Sequence, residues 1–124
     1  MHLIRLTVGL LLLGLGAGCG EETQGDATQD NPVAQGRKLF MANGCNLCHG
    51  PEGRGDGPVA RSLNPKPRNF ADLSAYKRGP GLEQIEETIQ HGLNTGQGIM
   101  PAFPNIASED RHRLALFIQS LQTK

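Results

Sequence analysis

The chain has 124 residues and equal numbers of acidic and basic side chains, 12 of each, so its formal charge is zero. With four Phe, one Tyr and no Trp, it offers neither the basic face nor the interleaved aromatics of a nucleic-acid binder. The length suits one small domain, and with 17 Gly and 8 Pro a core of side chains alone would be thin, which favours a fold built around a bound group.

Residues 1–18 read as a secretory signal. Arg5 gives a short positive start, and the apolar run Leu6 to Leu15 is too short to span a membrane. Gly16-Ala17-Gly18 then precedes Cys19, an arrangement that resembles a bacterial lipoprotein signal, in which the cysteine is lipidated and becomes the mature N-terminus. The alternative is ordinary signal-peptidase cleavage near the same point. Residues 19–31 form the anchor cysteine and a polar, acidic tether without periodicity. Its twelve residues after Cys19 would reach roughly 40 Å fully extended and about 20 Å on average. Once signal and tether are set aside, residues 31–124 carry 11 Lys/Arg against 8 Asp/Glu, a formal +3.

The domain is expected over 32–124. Asn31-Pro32 predicts a capped helix start, followed by Val33, Gly36, Leu39 and Phe40 at helical spacing, with Gly44 as the stop. Gly36 on the packing face would allow another helix to cross closely. The long stretch Gly50 to Gly81 is rich in Gly, Pro and basic residues, and such a loop is compatible with a compact domain if it wraps a bound group. A helix over Leu82 to His91 follows, with Leu82, Ile85 and Ile89 inward and Gly92 as its stop. A last helix is expected from a Ser108 cap, with Glu109 and Asp110 in its first turn and a stripe of Leu114, Phe117, Ile118 and Leu121. It is the expected partner of the first helix.

Cys45-Asn46-Leu47-Cys48-His49 carries the chemistry. C-x-x-C-H is the attachment site of a c-type haem: two thiols add to the two vinyl groups, and the adjacent imidazole reaches one face of the iron. A thioredoxin-like dithiol would need a strand–helix alternation that this chain lacks. A structural zinc would need two further ligands, and only Cys19 and the scattered His2, His91 and His112 remain.

This pattern resembles the class I c-type cytochromes. G-R-K-L-F before the motif, C-N-L-C-H-G, the G-D-G-P segment, M-P-A-F and the terminal F-I-Q-S-L all match, over about residues 33–122. In detail P-x-P-R-N-F and I-M-P-A-F are most similar to the single-haem modules of membrane-bound respiratory oxidase complexes. The resemblance implies an all-α cytochrome c fold, with three to four helices and long loops around one haem c held through Cys45 and Cys48. It implies His49 as proximal ligand and Met100 as the distal one. Met41 is an awkward rival, only four residues before Cys45. His91 would give a bis-histidine haem, although its place in the last helical turn also suits the helix dipole.

By the same resemblance the Pro58 carbonyl is expected to accept the other ring N–H of His49; an ordinary turn proline is the alternative. Arg68 and Asn69 are the preferred polar contacts of the haem. Arg54, Arg61, Lys66, Lys77 and Arg78 are either a docking ring around the haem edge or a solvated loop surface. Leu47, Leu63, Phe70, Ile99 and Phe103 are expected to line the pocket.

The resulting expectation is an exported, lipid-anchored carrier of single electrons in the bacterial periplasm or at the outer surface. It would act in a respiratory chain between a quinol-oxidising complex and a terminal oxidase, as a monomer or as a subunit of a complex, and would not itself be an enzyme. The competing reading is a haem-based gas sensor or peroxidase-like protein with a labile distal ligand.

Overall fold

The computed structural model describes residues 31–123; the signal, Cys19 and residues 20–30 of the tether lie outside them. Four helices carry the domain: α1 (Pro32–Ala42), α2 (Cys45–His49), α3 (Leu82–His91) and α4 (Ser108–Ser120). Short 3₁₀ turns lie at Ala60–Ser62 and Leu73–Ala75. The all-α expectation holds, with one addition. β1 (Leu93–Asn94) and β2 (Ile99–Met100) form a two-residue antiparallel ladder that pairs Leu93 with Met100 and Asn94 with Ile99. A ladder this short has no periodicity to read.

α1 starts where the cap and proline place it. The Asn31 side chain accepts the amide N–H of Val33 at 2.9 Å and of Ala34 at 3.3 Å, which satisfies two donors that have no partner within the helix. The start of α4 differs from expectation: Ala107 occupies the cap position without a side-chain hydrogen bond, and Ser108 is already helical. Its first turn is held instead by Arg113, whose Nη1 donates to Asp110 at 2.8 Å one turn back.

The core forms where α1 crosses α4. A Cβ on Gly36 would collide with the Arg113 carbonyl and come within 2.9 Å of the Phe117 Cβ, so the two backbones approach as closely as they do only because position 36 has no side chain. Phe40 is 1 % exposed and meets Phe117 edge to face, with ring centroids 5.3 Å apart. Ile85 and Ile89 bring α3 onto the same buried cluster beside Leu114 and Ile118.

The long loop folds back on α2. The Gly55 N–H donates to the His49 carbonyl at 2.8 Å, that of Gly57 to Cys48 at 3.1 Å, and that of Phe70 to Gly53 at 2.8 Å. These bonds deliver Phe70 into the core, where its ring lies 6.1 Å from Phe40. The loop thereby builds a wall of the interior.

Candidate haem site

Gly44 takes the left-handed conformation, with φ 73°, and turns the chain from α1 directly into α2. Within α2, Cys45 and His49 are four residues apart and share a face. Cys45 and Cys48 are not joined in a disulfide. Burial pushes the Cys45 thiol up to about 11, so it is protonated at neutral pH.

His49 is 9 % exposed. Its ring stacks on Phe70, with centroids 4.6 Å apart and planes 25° from parallel. Burial lowers its pKa to about 4, against a smaller opposing effect of the Arg68 carbonyl, so the imidazole is neutral at pH 7. Nδ1 lies 3.4 Å from that carbonyl. With Nδ1 as donor, Nε2 keeps its lone pair for a metal. This corrects the expectation for Pro58. The acceptor at His49 is Arg68, because the Phe70–Gly53 bond folds the 67–70 segment over the imidazole, while Pro58 is exposed.

Beside His49 lies an apolar cavity that is partly open to solvent. Cys45 and His49 contribute from α2, and Ile85, Thr88 and Ile89 from α3. Met100 and Phe103 contribute from the ladder and the segment after it, and Leu114 and Ile118 from α4. Phe40 and Phe70 complete the apolar lining, and Arg68 and Tyr76 add polar groups.

Met100 is half-buried and lines this cavity. Met41 is 45 % exposed and His91 is exposed at the end of α3; neither is part of the lining. Phe70 and Phe103 take their expected places. Leu47, Leu63 and Ile99 do not, being 48 %, 40 % and 75 % exposed. Leu47 follows Cys45 by two positions on a helix and so faces away from it. Ile99 alternates with Met100 on a strand, so seating Met100 inside turns Ile99 out.

Arg68 and Asn69 separate. The Arg68 guanidinium lies 4.8 Å over the Tyr76 ring, and burial lowers its pKa. Asn69 is exposed and bonds locally, its Oδ1 accepting the Ala71 N–H at 3.0 Å, and it is outside the lining; its side chain closes a turn. Arg54, Arg61, Lys66 and Lys77 are exposed loop residues. Arg78 instead donates to the Gly92 carbonyl at 2.9 Å.

Two lining residues escaped the sequence reading. Thr88 follows Ile85 by three positions and so lies on the inward stripe of α3; its hydroxyl donates to the Gln84 carbonyl at 2.8 Å. Tyr76 donates its hydroxyl to the Phe70 carbonyl at 3.0 Å and gave no periodic signal.

An apolar cavity flanked by a half-buried thiol and a neutral imidazole fits a flat apolar macrocycle held covalently. No group of three or more His, Cys, Asp or Glu that could bind zinc occurs among the described residues. Fold and site together define a small helical haem protein of the c type. The cytochrome c family model matches residues 33–122, and the chain belongs to that family. It carries one covalent haem c, held through Cys45 and Cys48.

Among curated proteins, it is 35 % identical over 92 residues to the cbb3-type cytochrome c oxidase subunit CcoP of Helicobacter pylori, covering 73 % of this chain and 28 % of that protein. It is 30 % identical over 92 residues to cytochrome c oxidase subunit 2 of Alkalihalophilus pseudofirmus, covering 71 % and 25 %. The chain thus spans about a quarter of the length of these relatives. Among solved structures, the reducing HAO-like protein complex of Kuenenia stuttgartiensis matches with a TM-score of 0.63 and 29 % identity, over 74 % of this chain and 44 % of that one.

Proposed function

We propose that this protein passes single electrons through a haem ligated by His49 and Met100, in a respiratory chain at the outer face of a bacterial membrane. The observation that carries the reading is one apolar cavity lined by Cys45, His49 and Met100 together. The haem supplies a one-electron ferrous/ferric couple. His49, neutral and oriented by the Arg68 carbonyl, offers Nε2 to the iron. Met100 offers a soft, uncharged thioether that favours the ferrous state and raises the potential relative to two imidazoles. Ile85, Ile89, Phe103 and Leu114 keep water away from the couple, which limits reorganisation on transfer. The Arg68 guanidinium at the cavity would pair with a haem propionate.

The partners we propose are a quinol-oxidising complex as donor and a terminal oxidase as acceptor; oxidase subunits are among the relatives. Cys19, lipidated, holds the domain on its tether at that membrane. No helix among the described residues is long and apolar enough to cross a membrane. The test is an optical redox titration of the purified haem protein. A low-spin ferric spectrum with the weak long-wavelength iron–sulfur band supports the carrier. A high-spin haem that takes up carbon monoxide in the folded protein would establish the sensor or peroxidase reading in its place.

A further inference from the structure

Met100 sits on the second strand of a hairpin too small to be stable by itself: two residue pairs form its ladder. The position of its sulfur therefore depends on what holds the 92–106 segment from outside. At the near end, Gly92 follows α3 with φ 67°, so close to the ladder that a Cβ there would lie 2.6 Å from the Met100 carbonyl oxygen. Arg78 Nη1 donates to the Gly92 carbonyl at 2.9 Å and, at 3.5 Å, to that of Glu87. At the far end, Arg111 of α4 donates from Nη1 to the Ile106 carbonyl at 2.9 Å. Between them the Phe103 N–H donates to the Ile89 carbonyl at 2.9 Å.

Arg78 reaches the segment from the long loop and Arg111 from the first turn of the helix that follows it, and both use a charge-assisted bond to a backbone oxygen. Arg78 also places a positive charge beside the C-terminus of α3, where the dipole is favourable. Arg111 buries its Nε without a hydrogen-bond partner, an arrangement that costs stability.

We propose that Arg78 and Arg111 are positioning residues, a two-point clamp on the 92–106 segment that holds the Met100 sulfur in the cavity and sets how easily an outside ligand displaces it. The inference rests on Met100 being the distal ligand. Neither arginine touches the haem; they act through the Gly92 and Ile106 carbonyls.

The test uses the full haem-loaded protein and imidazole as competing ligand. The ferric form is titrated while the iron–sulfur band is followed, and thermal unfolding is measured in parallel. Arg78→Met and Arg111→Met are each expected to raise the affinity for imidazole about tenfold, the scale of one lost charged hydrogen bond. The double variant should approach the product, and Arg78→Lys should recover part of the loss. Leu39→Ala, which loosens the core from α1 outside the cavity lining, should leave imidazole affinity within twofold of wild type while lowering the melting temperature. Wild-type affinity in both arginine variants would overturn the clamp. An equal rise in Leu39→Ala would overturn it too, as general loosening. Absence of the iron–sulfur band from the unmodified protein would instead overturn the Met100 reading, and the clamp with it, before any variant is made.

Discussion

The backbone carbonyl of Arg68 stands 3.4 Å from His49 Nδ1, and the Phe70 ring two residues later stacks on the same imidazole. One short segment of the long loop therefore sets both the tautomer and the tilt of the proximal histidine. A Phe70→Leu substitution keeps an apolar side chain but removes the stacking and the edge contact with Phe40. It should cost about 1–3 kcal/mol of stability, within the usual range for a core substitution, and broaden the orientation of the imidazole. Denaturant unfolding measures the first. The spread of the ferric electron paramagnetic resonance signal measures the second, and an unchanged line shape would show that the loop does not orient the ring.

Gly36→Ala sends a methyl into the Arg113 carbonyl at the α1–α4 crossing. Both partners are helix backbone, so relief requires the helices to part. The expected loss is at least about 1–3 kcal/mol, visible as a lower melting temperature with the haem spectrum retained. A neutral result would mean that the crossing is looser than the packing implies.

Tyr76 is the one tyrosine of the chain. Burial raises its pKa, partly opposed by the Gln122 hydrogen bond and the Arg68 charge. A group whose folded pKa is raised binds its proton more tightly when folded. Its contribution is therefore complete below the unfolded value and is lost as pH rises through the folded one. Stability should decline above about pH 10, and Tyr76→Phe should flatten that decline. Unfolding followed from pH 8 to 12 tests both statements; identical profiles would remove Tyr76 as the cause.

Met100→Ala should abolish the iron–sulfur band, open the ferric haem to imidazole, and lower the reduction potential because the thioether no longer favours ferrous iron. Potentiometry of the variant against wild type decides it. An unchanged potential and spectrum would identify another distal ligand.

Fatty-acid labelling in the native host should mark the wild type and not Cys19→Ala. Label on neither would exclude the lipid anchor while leaving the haem domain untouched.

Local signals were easy to read. Asn31-Pro32 marked the start of α1, and α3 runs from Leu82 to His91 as its apolar spacing and Gly92 require. The cofactor was legible because the C-x-x-C-H order states its own chemistry. Errors arose where sequence neighbours do not share a direction. Leu47 and Ile99 flank cavity residues and yet face solvent, because a helix and a strand each turn adjacent side chains apart. Asn69 differs from Arg68 in the same way, closing a turn one residue from a cavity wall.

Cys45 to His49 alone determined that a haem is attached and which histidine adjoins it, since both are consequences of covalent order along five residues. Only the tertiary structure decided what surrounds that histidine. The carbonyl at its Nδ1 belongs to Arg68, nineteen positions away, and the cavity that Met100 enters is walled by three separate helices and a two-residue ladder. Contacts of that kind depend on how the loop closes and the helices cross, and no local period in the chain encodes them.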